Sequence, residues 1–159
     1  MPTLKPIPQV ADPVQAALRA ELVRKITAHT DVEGVAPTAI PGLRLYRKNG
    51  PTECYSGTYE PELVICAQGE KHITVGSTTH ICDETKFLLT SVDLPAESQV
   101  IRASKKEPIL CMVLKLEMPF VREILSQQEF LVPGAPAKAS GFALAETSPE
   151  LLKIGRAHV

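Results

Sequence analysis

The sequence predicts a mainly β fold: an antiparallel sandwich or barrel, preceded by one helix and followed by helical segments. Three observations carry this. Seven short β-like runs, broken by Gly, Pro, Asp and Ser turn signals, occupy residues 43–116. Apolar residues recur at helical spacing before and after that stretch. The chain has 159 residues and 44% hydrophobic content, enough for one buried core.

Residues 1–12 are proline-rich and read as a loose arm. Asp12-Pro13 supplies an N-cap with proline at the first helical position. Val14, Ala17, Leu18, Leu22 and Ile26 then form one apolar face, predicting a helix over 13–29. Residues 31–42, with Gly34, Pro37, Pro41 and Gly42, read as a loop. The strands follow at 43–46, 63–67, 71–75, 78–81, 86–92, 99–103 and 109–116. Phe87-Leu88-Leu89 and residues 109–114 are apolar almost throughout, as in strands buried on both faces or covered by a helix. Past Leu116 the pattern is helical again: Pro119 opens a segment with Phe120, Val121, Ile124 and Leu125. Residues 131–141 form a Pro/Gly/Ala linker. Ser148-Pro149 is a second cap signal, announcing a helix at Leu151-Leu152. The resulting division is an arm and amphipathic helix at 1–42, a barrel at 43–117, and a helical linker or dimerisation segment at 118–153. The last six residues, Ile154 to Val159, resemble a translated sequencing adapter and are expected to be a non-native tail.

Composition narrows the function. The net charge is −1, so this part is not expected to grip nucleic acid by itself. No apolar run approaches the ~18 residues of a membrane span, and Met1 to Val10 lacks the apolar core of a signal peptide. The expected location is cytoplasmic, with Cys54, Cys66, Cys82 and Cys111 reduced. Cys66 and Cys111 lie within apolar runs, where a thiol serves as a small hydrophobe.

A search for chemistry leaves little. Only His72 and His80 lie on expected strands. With Gly76-Ser77 as a two-residue hairpin turn, Val75 faces Thr78, Ile73 faces His80 and His72 faces Ile81. Directly opposed residues share a face and neighbours alternate, so the two histidines point to opposite faces and cannot easily share a metal; a metal-dependent cupin enzyme and a ligand-free dimerisation module stand as the alternative readings. No nucleophile elbow or phosphate-binding glycine loop is present. Glu60, Glu62, Asp83 and Glu84 sit in expected turns and read as solvated. No catalytic group, metal or cofactor is expected. What remains is a small barrel that can enclose one ligand. Tyr46, Tyr55, Tyr59, Gln68, Lys71 and Thr90 are the polar candidates to point inward and bind it.

Three segments carry a resemblance: Tyr59-Glu60-Pro61-Glu62 through Gln68-Gly69-Glu70-Lys71; Leu88-Leu89-Thr90-Ser91-Val92-Asp93-Leu94-Pro95; and Ala36-Pro37 through Pro41-Gly42-Leu43. In this order the chain resembles the N-terminal domain of AraC-type transcriptional regulators over about residues 14–152. The resemblance implies a cupin-like jelly-roll effector or dimerisation domain with C-terminal linker helices. It also implies a homodimer, an unknown small-molecule effector, and DNA contact only through a helix-turn-helix half missing after Leu152. Among the motif positions, Gly69 is expected to make a hairpin turn, Pro61 to end a loop before a strand and Pro95 to stop one. Glu60 is expected to pair with Lys71, and Asp93 to cap a loop beside Leu94.

Overall fold

The computed structural model describes residues 12–127 and 141–159. Helix α1 (Pro13–Ala28) begins as expected: the Asp12 carboxylate accepts from Val14 N at 3.0 Å, and Pro13 occupies the first turn. Strands β1 (Gly34–Pro37), β2 (Leu43–Lys48), β3 (Tyr55–Tyr59), β4 (Glu62–Gln68), β5 (Glu70–Val75), β6 (Thr78–Asp83), β7 (Lys86–Thr90), β8 (Leu94–Arg102) and β9 (Ile109–Lys115) follow. Helix α2 (Met118–Gln127), strand β10 (Phe142–Glu146) and helix α3 (Pro149–His158) complete the order. The expected linker lies mostly outside the described residues.

The strands build two antiparallel sheets. One has the order β1-β2-β9-β4-β7-β10, the other β3-β8-β5-β6. Consecutive strands pair directly only in β1–β2 and β5–β6; every other connection crosses to another sheet or over a strand. That is a jelly-roll arrangement, mainly β as the sequence predicts. The β5–β6 register is the expected one, with Ile73 opposite His80 and His72 opposite Ile81. The two histidines therefore face opposite ways.

Alternation sets two cores on the two faces of the six-stranded sheet. Leu43, Leu45, Ile65, Ala67, Leu110 and Met112 point out and pack beneath Leu18, Leu22 and Ile26 of α1 and Leu152 of α3. Val64, Cys66, Leu88, Ile109 and Cys111 point in and meet Ile73, Cys82, Ala96 and Val100 from the four-stranded sheet. This is why β4 and β9 read as unbroken apolar runs: one parity faces helices, the other faces the opposing sheet. Each such fully buried aliphatic contributes about 1.5–3 kcal/mol. All four cysteines are free, with Cys54 exposed and the others buried.

Three expectations are corrected. The stretch 31–42 is not all loop, since Gly34–Pro37 adds β1 to the sheet edge, and Tyr55–Tyr59 and Phe142–Glu146 are further strands. All three run along sheet edges, where polar and small residues suffice. Gly69 does not turn a hairpin: it joins β4 in one sheet to β5 in the other, with φ of 95°. Pro95 does not stop a strand but stands second in β8, opposite Thr58, on the pairing of an edge strand. Residues 154–158 form the last part of α3. There Arg156 meets Glu21 of α1 at 3.1 Å, and Lys25 donates to the Arg156 carbonyl at 2.6 Å.

Candidate functional site

Between the sheets lies a cavity of about 510 Å³. Its residues follow from strand parity. On β2, Leu43 and Leu45 face the helices, so Arg44 and Tyr46 face inward. On β4 the inward set is Glu62 and Val64; on β3, Tyr55, Gly57 and Tyr59; on β5, Lys71; on β8, Ser98; on β9, Cys111 and Val113. Val35 of β1, Glu60 and Asp93 also line it, and Tyr55 is half exposed, so the cavity opens to solvent on that side.

Lys71 is its central polar group. The residue is only 8% exposed. Its Nζ stands 5.6 Å from the Tyr59 ring centre and 6.0 Å from that of Tyr46, within cation–π range. It donates one long hydrogen bond, 3.4 Å, to the Tyr59 hydroxyl, which is 3.1 Å from Ser98 Oγ. Burial works against the ammonium, but Tyr59 and the thiols of Cys111, Cys82 and Cys66 outweigh it and hold the lysine well above its ordinary pKa. Burial also raises the Tyr46 phenol, with Tyr55 adding to the effect, and pushes the Cys82 thiol up to about 12.

Glu62 is the second buried ion. It is not a solvated turn residue: it opens β4, is buried, and accepts from Arg44 Nη2 at 3.2 Å. Burial raises its carboxyl above the ordinary value, with Arg44 and Lys71 partly opposing. A carboxyl raised on folding supports the folded state fully below its unfolded pKa and loses that support as pH rises through the folded one. The melting temperature of the wild type minus that of Glu62→Gln is therefore expected to fall as pH rises from about 4 toward neutrality. Paired thermal melts across that range test this, and a difference that grows with pH contradicts it.

The sequence-expected ligand residues divide. Tyr46, Tyr55, Tyr59 and Lys71 all line the cavity. Gln68 lies at the end of β4 and donates to the Pro108 carbonyl at 2.9 Å. Thr90 is a latch: its hydroxyl donates to the Glu60 carbonyl at 2.6 Å and accepts from Glu62 N at 3.0 Å. This fixes the 60–62 bend at the cavity wall. Among the motif residues, Glu60 pairs with Lys115 at 3.7 Å and not with Lys71, because its backbone lies outside β4 beside the end of β9. The Pro61 carbonyl accepts from Leu116 N at 2.9 Å, and Leu94 pairs with Tyr59 across β3–β8. Asp93 is exposed and lines the cavity.

Arg44, Glu62 and Ser98 escaped the sequence reading. For Arg44 and Glu62 a signal existed: each shares parity with a residue already expected to point inward, Arg44 with Tyr46 and Glu62 with Gln68. Ser98 had none, because its strand reads as starting one residue later. Among the described residues, no group of three or more His, Cys, Asp or Glu side chains is arranged to hold a metal ion. No described helix is long and apolar enough to cross a membrane.

Comparison with known proteins adds the family. The sequence pattern described as AraC-type transcriptional regulator N-terminus matches residues 39–156. The fold is similar to that of apo ToxT from Vibrio cholerae, with a TM-score of 0.50 at 8% identity, covering 75% of this chain and 46% of ToxT. Unsaturated fatty acid-bound ToxT from the same organism aligns with a TM-score of 0.48 at 9% identity, over 70% of this chain and 43% of that one. A cupin-2 domain containing protein from Shewanella frigidimarina aligns with a TM-score of 0.41 at 8% identity, over 62% of this chain and 99% of that one. The chain spans less than half the length of ToxT. No curated protein sequence matches it.

Proposed function

Because this chain belongs to the family of AraC-type transcriptional regulator N-termini, we propose that it is an effector-sensing and dimerisation domain, not an enzyme. The observation that carries the reading is the cavity of about 510 Å³ with a charged, nearly inaccessible lysine in its wall. A solvent-open cavity of this size fits a small organic molecule. DNA contact is assigned to a part of the protein outside this chain, consistent with the net charge of −1. The division into an arm and helix at 1–42, a barrel at 43–117, a linker and dimerisation segment at 118–153 and a tail at 154–159 belongs to the same reading, as does a cytoplasmic setting without membrane contact.

Helix α2 is the element proposed to join two copies. It buries no residue against its own chain, and Phe120, Ile124 and Leu125 are exposed along it. Effector binding would bias the arrangement of the helices that follow the barrel, and so the spacing of the two DNA-binding halves.

A thermal-shift screen of metabolites tests the sensor reading. A ligand at ~100 times its Kd stabilises by about 2.7 kcal/mol, a rise of about 5–10 °C at 2–4 °C per kcal/mol. A broad screen with no stabilising compound sinks it. For dimerisation, sedimentation is expected to show a dimer that Ile124→Asp converts to a monomer. A wild-type monomer at high concentration, or a variant that stays dimeric, rejects α2.

A further inference from the structure

We propose that the cavity's ligand is a small organic monoacid whose carboxylate sits on Lys71. This rests on the sensor reading above and adds to it the chemical class of effector.

The inference comes from the charges in the cavity wall. Two cations line it, Arg44 and Lys71. Arg44 is neutralised by Glu62 at 3.2 Å. Lys71 has no carboxylate within ion-pair distance among the described residues, and of its three ammonium hydrogens only one is used, on the Tyr59 hydroxyl at 3.4 Å. A buried charge ordinarily has a partner, because desolvating it alone is costly. Here the side chain is held beside the cavity by ring faces of Tyr46 and Tyr59, not by an anion. The surroundings suit a carboxylate: the Tyr59 hydroxyl beside the ammonium is hydrogen-bonded to Ser98 Oγ at 3.1 Å, and the pair keeps one hydroxyl hydrogen to donate.

The rest of the wall sets the ligand's charge and body. Three carboxylates also line the cavity. Glu62 is matched by Arg44 and Glu60 by Lys115 at 3.7 Å, while Asp93 stands exposed. One uncompensated buried positive charge accepts one negative charge, and the neighbouring carboxylates disfavour a dianion such as a phosphate monoester. Val35, Val64 and Val113 make the remaining wall apolar, so the ligand's body is hydrophobic.

The test uses matched pairs: 4-phenylbutyrate, indole-3-acetate and decanoate, each beside its primary amide, measured by calorimetry and thermal shift on the chain. At least one acid is expected to bind, and at least 10-fold more tightly than its amide. Lys71→Met is expected to abolish that preference, and Lys71→Arg to retain it, the arginine variant guarding against a methionine variant that fails to fold. Acids and amides binding equally, Lys71→Met retaining the preference, or failure of all three acids would overturn the proposal. If the acids fail while neutral compounds from the broad screen still bind in the cavity, only the acid class falls. If nothing binds, the sensor reading falls with it.

Discussion

Gly69→Ala is expected to destabilise the protein by about 3–5 kcal/mol and lower its melting temperature by about 10 °C, at 2–4 °C per kcal/mol for a chain of this size. Two costs combine. Gly69 adopts φ of 95°, a backbone conformation strained by ~1–3 kcal/mol for a residue with a side chain. A Cβ there would also stand 2.7 Å from Ile109 Cβ, 2.8 Å from Ile109 Cα and 2.9 Å from the Arg102 carbonyl. These are backbone and near-backbone atoms that cannot swing away, and overpacking of this kind costs a further ~1–3 kcal/mol. Gly76→Ala is the control. Gly76 also has positive φ, 60°, but nothing within 4 Å of a Cβ. It is expected to lose about 1 kcal/mol from backbone conformation alone. Equal losses at the two glycines would show that the close approach at the sheet crossing does not matter. The Gly69 effect would reach the cavity, since this crossing sets where the chain passes from β4 of the six-stranded sheet to β5, and hence where Lys71 stands.

Leu22→Ala is expected to cost about 2–5 kcal/mol, from lost burial plus the cavity left behind. Leu22 is fully buried at the centre of α1, in the cluster that joins Ile65, Leu110 and Met112 of the sheet to Leu152 of α3. Its side chain lies in the cluster shared by α1, α3 and the sheet, so the hole cannot close without moving a helix. Val14→Ala, on the same helix but 58% exposed, is expected to change stability by no more than about 0.5 kcal/mol. Urea unfolding of both variants measures the contrast. Similar midpoints would mean that α1 is not docked on the sheet through this face.

The cavity places these energetics in a functional setting. Tyr46 reaches it because Leu43 and Leu45, of opposite parity, pack under the helices, Lys71 because it shares parity with buried Ile73, and Tyr59 from the edge strand β3. Thr90 supports it from behind by satisfying the buried backbone at 60–62. Removing the Thr90 hydroxyl would leave a buried N–H unpaired, a cost of ~1–3 kcal/mol, without touching a ligand.

What the sequence determined by itself is what acts over a few residues. The Asp12 and Ser148 caps begin α1 and α3, because each side chain accepts from a backbone N–H only two or three positions ahead. The two-residue turn at Gly76-Ser77 sets the β5–β6 register, because that spacing allows one pairing. Together these place His72 and His80 on opposite faces. The tertiary structure alone decided what depends on which distant strands lie side by side and on which layer covers them. It joins Arg44 to Glu62 across 18 positions and Tyr59 to Ser98 across 39. It buries a glutamate that stands in a polar, turn-like stretch, recruits β1, β3 and β10 as edges, and makes Gly69 a crossing where a hairpin was expected. The physical reason is that burial and charge pairing are properties of neighbours in space. A local pattern says that a side chain points inward, and only the opposing layer says what it meets there.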